Sequence, residues 1–402
     1  MKLWIKYLLG TVIGIFAAFV LPHTLIDMLA ELTTRIGRYT LLPLLFFSVS
    51  TAFFRLHVEK KLLPLGVWLV GTLITFSLGI TIIGVVTAVI FRLPPIPISS
   101  AVADSVPSID IKSLFYALFP FNGFNALLDG TFLLPAFIFA GFAGIGCAAD
   151  VSAARPIASL LDSASKVCYI VMSFFIEILS VGMIALAARW TVHCIQAATV
   201  SVFVPLLWIL ILNFVLIVFV GIPLVLRFFC HELHPFKVVY ASLCPMLVAF
   251  VSGDTNLALQ AHIRHGKESL GIRRRTNAIT LPVLSTFARG GASVVSIISL
   301  IAIMHSYSSL GISFSDIIKI SATAFVLSFA LGNFPTRGPF VAICMLCSLF
   351  GRVAEGYQLL TPVAPVLCAF AAAIDAAEVM AINYIIAVKT RTVEHIEIKK
   401  FI

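Results

Sequence analysis

Three apolar segments in the last third of the chain are each interrupted by a short polar stretch that contains glycine. Val251-Ser252-Gly253-Asp254-Thr255-Asn256 breaks the first and Ala288-Arg289-Gly290-Gly291-Ala292-Ser293 the second. Gly332-Asn333-Phe334-Pro335-Thr336-Arg337-Gly338 breaks the third. In hydrocarbon an unpaired backbone N–H or C=O finds no water, so unwound backbone survives only where protein buries it or where it lines a cavity. A chain with three such breaks has to build a protein interior around them. Paired interruptions of this kind mark a binding site near the bilayer midplane.

The membrane setting follows from the neighbouring runs. Residues 62–90, 168–188 and 200–226 each match or exceed the roughly 20 apolar residues that cross a bilayer as helix. Only 11% of residues are charged, against about 25% in a soluble domain, and mean hydropathy is +1.10. No two-residue alternation at outer-membrane-barrel spacing is visible. The fold class is therefore an all-α polytopic membrane protein. Residues 7–21 follow Lys2 and Lys6 as in a signal peptide, but Pro22-His23-Thr24 offers no small-x-small cleavage site, so this is a first membrane helix.

The net charge of +9 collects at Lys2/Lys6, Arg55/Lys60/Lys61, Arg264/Lys267/Arg273/Arg274/Arg275 and Lys389/Arg391/Lys399/Lys400. The positive-inside rule makes these cytoplasmic ends, with both termini inside a cell (inner or plasma) membrane. The basic clusters are topology signals facing a lipid bilayer, not a nucleic-acid surface. Cys344 and Cys347 form C-x-x-C inside an apolar run, where small packing residues are the better reading than a metal or redox pair. Cys230, His231, Glu232 and His234 miss the H-E-x-x-H spacing of a zinc site. No metal and no cofactor is implied beyond a coupling sodium ion or proton.

Along the chain, residues 1–61 hold two helices and 62–92 a third. An external Pro- and Ser-rich loop covers 93–113. Residues 114–199 hold helices four and five, with an apolar region broken by Asn122, Gly123, Asn125, Asp129 and Gly130, then a polar internal loop at 148–165. Residues 200–402 contain the sixth helix, a hairpin at about 236–263 and a seventh helix unwound at the second break. A second hairpin at about 316–350 and an eighth helix at 362–388 complete the chain. The hairpins are too short to cross and enter from opposite sides. Eight transmembrane helices plus two re-entrant helical hairpins arranged as inverted repeats result.

With this order in place, the chain resembles the dicarboxylate/amino acid:cation symporter family, the bacterial and archaeal glutamate-transporter homologues, over nearly its whole length. Leu42-Pro43-Leu44-Leu45-Phe46 resembles the core of the family's second helix. The stretch from Phe119 to Gly130 resembles its P-x-N-x-F-x-A-L-x-x-G segment, and Ala249-Phe250-Val251-Ser252 its approach to the first hairpin tip. Thr280-Leu281-Pro282 stands at the start of the seventh helix, and Pro335-Thr336-Arg337-Gly338 where the second hairpin carries P-G-A-G. Ala373-Ile374-Asp375-Ala376 and Ala387-Val388-Lys389-Thr390 resemble the two ends of the eighth helix. Order and spacing carry the likeness rather than any single motif.

The resemblance implies a glutamate-transporter-like elevator fold working as a homotrimer. Helices one, two, four and five would form the scaffold. Helices three, six, seven and eight with both hairpins would form the moving transport domain, and the second hairpin its outer gate. It implies symport of acidic amino acids (glutamate or aspartate) or dicarboxylates with sodium or a proton. The chain departs from the family where its N-M-D-G-T aligns with Ala288-Arg289-Gly290-Gly291-Ala292, so the Asn and Asp that help bind sodium are absent. In the eighth helix a family Asp aligns with Val379, and no Arg precedes Lys389.

The residues of the breaks supply their own chemistry. An Arg at membrane depth costs at least ~2.5 kcal/mol unless it is paired, snorkels or faces water. Arg289 and Arg337 both lie in breaks, and a guanidinium grips a carboxylate with two parallel bonds. Both are expected to bind an anionic substrate, or else to pair internally with Asp254, Asp375 or Glu378. Asp254, Thr255 and Asn256 offer side-chain oxygens at the first tip, although Asp254 equally suits an N-cap. Asn333 and Thr336 are candidate contacts in the gate. Asp375 and Glu378 are the candidates for cation or proton coupling, since intramembrane carboxylates are proton-relay sites by default. Glu177 and Asp129 suit helix–helix hydrogen bonding. A channel-like anion conductor on the same fold is the competing reading. No G-x-S-x-G, H-E-x-x-H or phosphate-binding loop supports an enzyme or an ATP-driven pump.

Overall fold

The computed structural model describes residues 2–91, 94, 116–128, 130–198, 203–307, 313–350, 356–394, 396 and 401. Apart from Pro94, the external loop expected at 93–113 lies outside the described residues, as do Asp129, Lys399 and Lys400. Among the described residues regular structure is helical throughout, apart from one isolated bridge between Ile272 and Val393.

The first four helices are α1 (Leu3–Val20), α2 (His23–Arg38), α3 (Leu41–Val58) and α4 (Leu62–Ile90). After a single 3-10 turn, Asn125–Leu127, come α5 (Leu133–Ala149) and α6 (Val151–Ala198). The next, α7 (Val204–Phe229), carries a π-helical stretch at Leu216–Gly221. Two helix–turn–helix pairs follow, α8 (Phe236–Ser252) with α9 (Thr255–Glu268), and α12 (Phe314–Ala330) with α13 (Gly338–Leu349). Between them lie α10 (Arg274–Phe287) and α11 (Gly290–Tyr307), and the last helix is α14 (Ala364–Lys389).

Three stretches differ from expectation. Of residues 148–165, expected as an internal loop, 148 and 149 end α5 and 151–165 open the 48-residue α6. The segment is rich in Ala, the strongest helix former. Its start is capped by Asp150, whose carboxylate accepts from the N–H groups of Ser152 (3.0 Å) and Ala153 (3.1 Å). The segment around Arg35 and Arg38 is also a helix, α2, buried through Ile26, Ala30 and Gly37 on one stripe. Eight described helices are long and apolar enough to cross a membrane, but they are not the expected eight. The fourth, α5, has 17 residues and falls short, whereas the first arm of the second pair, Phe314–Asn333, qualifies with 20.

The helices pack as two sets. In the first, α1 and α2 lie on α6, and α3 lies on α5 and α6. Gly10 and Gly14 of α1 let the backbones approach, because a Cβ on Gly14 would sit 2.4 Å from the Ile184 carbonyl oxygen. In the second set α8, α9, α10, α11 and α13 gather on α14, with α4 against α11 and α14. Burial separates centre from rim: 89% of the apolar window of the α10–α11 span is inside, against 28% for α1. Exposed Phe16, Phe19, Leu63, Phe174 and Trp208 on α1, α4, α6 and α7 form an apolar exterior suited to lipid. The sets meet where α10 crosses α3 and where α8 crosses α1 and α6.

Candidate functional site

The second break meets α14 through two glycines. A Cβ on Gly290 would fall 2.7 Å from a Glu378 carboxylate oxygen, and one on Gly291 2.5 Å from the Ala371 carbonyl. Without side chains there, the N-terminus of α11 comes directly onto two carboxylates three residues apart on one face of α14. The Gly290 N–H donates to Glu378 Oε2 (2.8 Å) and the Ala292 N–H to Asp375 Oδ1 (3.2 Å). Orphan N–H groups and the positive helix end both favour anions at this position.

Arg289 lies in the same buried set, with Nη1 3.7 Å from Asp375 Oδ2. Its side chain is 3% exposed and that of Asp375 2%, so this is an interior ion pair. Glu378 is fully buried, and its second oxygen accepts from the Ser77 hydroxyl of α4. Thr81, one turn on, donates to Ser293 (3.1 Å) and ties α4 to the start of α11. One guanidinium thus pairs with one of two neighbouring carboxylates. Ionised together they leave one negative charge, which one proton or one monovalent cation neutralises. A polar ladder continues below: Thr280 donates to Asn383 (2.6 Å), which donates to Asn277 (2.9 Å).

At the first break Gly253 takes the left-handed conformation that ends α8 (φ 63°), and Asp254 caps α9 by accepting from the Asn256 N–H (2.9 Å). Its other oxygen accepts from Arg38 Nε (2.9 Å) and Nη2 of α2. The Asn256 amide donates to the Thr131 carbonyl just before α5 (2.8 Å). Asp254 and Asn256 therefore hold the first tip to the other helix set. Thr255 faces the third break, its N–H 3.4 Å from the Pro335 carbonyl. Its buried hydroxyl has no partner among the described residues.

The third break lies partly at the surface. Asn333 is half-buried, Thr336 and Arg337 are exposed, and Arg337 has no ion-pair partner among the described residues. Gly332 packs on Thr286, one turn before the second break.

The structure thus brings together Arg289, Asp375 and Glu378, and brings Thr255 to the second tip. Of the internal pairings considered for the arginines, Arg289 with Asp375 forms, whereas Asp254 pairs with neither candidate but with Arg38. Nothing local in the sequence points to Arg38, which lies 216 residues from its partner. Ser77 and Thr81 carry a weak signal as polar residues one turn apart in an apolar run. Glu177 joins α6 to Lys6 of α1 and to Arg264 of α9 (2.9 Å). Cys344 and Cys347 are buried and unbridged.

No curated protein matches the chain. A family model described as the sodium:dicarboxylate symporter family matches residues 3–388, nearly the full length. Its members are membrane transporters rather than enzymes, in keeping with the apolar helices and the buried charges described above. The chain belongs to the sodium:dicarboxylate symporter family.

Proposed function

We propose that the chain is a secondary transporter of small organic anions, acidic amino acids or dicarboxylates, in which one proton rather than sodium accompanies the substrate. The observation that carries this reading is the charge balance at the breaks. Among the described residues Arg337 stands exposed without an anion partner, while the buried set holds one carboxylate more than Arg289 neutralises. Arg337, with Asn333 and Thr336, is the substrate-facing group, because a guanidinium matches a carboxylate with two bonds. Arg289 serves as a fixed counter-cation for Asp375. Glu378 carries the remaining charge and takes up the proton. Sodium is disfavoured because a hard cation needs several oxygen ligands. Here the Glu378 oxygens and Asp375 Oδ1 already accept hydrogen bonds, and Asp375 Oδ2, without one among the described residues, lies 3.7 Å from the Arg289 guanidinium.

The same reading takes the two helix–turn–helix pairs as re-entrant hairpins and the two helix sets as scaffold and transport domain of an elevator. The protein then works as a homotrimer in the plasma membrane, with both termini cytoplasmic. Packing of α4 and α8–α14 around one another supports the division. Uptake of labelled glutamate, aspartate and dicarboxylates into proteoliposomes tests the function. Saturable, concentrative uptake is expected, with the half-saturation concentration raised roughly tenfold or more in Arg337→Gln through loss of a charge-assisted pair. An uncoupled, non-saturating anion current, or unchanged uptake in both Arg337→Gln and Arg289→Gln, contradicts it.

A further inference from the structure

A cavity of about 670 Å³ lies apart from the breaks, between the end of α3, α6, the α9–α10 connection and the segment after α14. Six cations line it: Arg55, Lys166, Lys267, Arg273, Arg274 and Arg275. Among the described residues two carboxylates, Asp162 and Glu394, line it with them. Asp162 is shared by Arg55 (3.0 Å) and Lys166 (2.8 Å), and Glu394 lies 3.5 Å from Arg273. Arg275 turns to Glu59. Arg274 and Lys267 have neutral partners instead. Arg274 donates to the Ser165 hydroxyl, and the Lys267 ammonium lies 4.1 Å from the centre of the Tyr169 ring.

A positive-inside collar is spread over a membrane face and solvated. This cluster is instead concave, and a cleft lined by one sign of charge concentrates counter-ions. Arg274 is half-buried, so water screens it less than a surface cation. Forked guanidinium donors match phosphate oxygens. The volume falls in the range of small-molecule sites and exceeds what one inorganic phosphate fills.

We propose that this cavity binds a phosphate-bearing anion larger than phosphate itself, and that the bound anion tethers the two helix sets. The ligand chemistry is that of an anionic phospholipid headgroup or of a soluble diphosphate. Arg55 and Lys166 belong to α3 and α6, whereas Lys267 and Arg274 belong to the set around α14, so one anion holds both. The tether rests on the two-body reading given under the proposed function; the binding site does not.

The test uses the full chain in two arms. Thermal stability is followed in detergent on adding pyrophosphate, with chloride at matched ionic strength as control. It is also followed in nanodiscs of phosphatidylglycerol against phosphatidylcholine. Stabilisation in one arm or both is expected, and the responding arm identifies the source. Removing two cations should weaken it by roughly tenfold or more in the Lys267→Gln/Arg274→Gln variant. Lys267→Gln alone alters an exposed side chain, keeps the fold and should show a smaller loss. No stabilisation beyond the controls, or an equal response in both variants and the wild type, overturns the site. Occupancy should also slow organic-anion uptake several-fold; binding that leaves uptake unchanged overturns the tether. Absence of any organic-anion uptake would count against the transporter reading while the binding arms still report on the site.

Discussion

The Arg289–Asp375 pair defines the energetics of the interior, since both side chains are almost wholly buried. Removing one partner of a buried pair leaves the other charge uncompensated and costs about 3–5 kcal/mol. Asp375→Asn should therefore lower thermal stability sharply, and Arg289→Met added to it should recover most of the loss. Equal stability of Asp375→Asn and wild type contradicts the pairing. The sequence marks Arg289, Asp375 and Glu378 as out of place in apolar surroundings, and the structure brings all three together. It does not mark Arg38, because the partner of Asp254 comes from a distant helix set by tertiary packing alone. Arg38→Gln frees Asp254 and should change the uptake rate several-fold with the half-saturation concentration nearly unchanged. If Asp254 were a substrate ligand, Asp254→Asn would instead move the half-saturation concentration.

At the scale of elements, the apolar runs identify most of the helices, and the polar breaks identify where they stop. What the runs leave open is decided elsewhere. Residues 148–165 look like a loop by polarity, yet Ala content and the Asp150 cap make 151–165 the first turns of α6. The fourth expected span is short because its polar first half, around Asn125–Leu127, is not α-helical. The docking of α11 on α14 depends on the absence of side chains at Gly290 and Gly291. Gly291→Ala places a methyl against the Ala371 carbonyl and should cost about 1–3 kcal/mol as overpacking, read as a lower melting temperature together with lost transport. A variant as stable and active as wild type would show that α11 and α14 are not locked this closely.

For the whole molecule, two helix sets meet along a seam of α8, α9, α10 and α14 against α1, α2, α3, α5 and α6, and the charged contacts Arg38–Asp254, Arg264–Glu177 and Arg275–Glu59 span it. Such contacts favour one relative placement of the sets, and the proposed elevator movement would have to break and remake them. Under the proposed function, the carboxylate left over beside Arg289 and Asp375 is Glu378, and it carries the coupling ion as a proton. The most direct measurement compares organic-anion uptake into sodium-free proteoliposomes with and without a pH gradient, acid on the side of the substrate. Concentrative uptake driven by the pH gradient and indifferent to added sodium is expected. Glu378→Gln should abolish this accumulation while substrate exchange continues. Uptake that requires a sodium gradient, or pH-driven accumulation that survives in Glu378→Gln, would contradict proton coupling at Glu378.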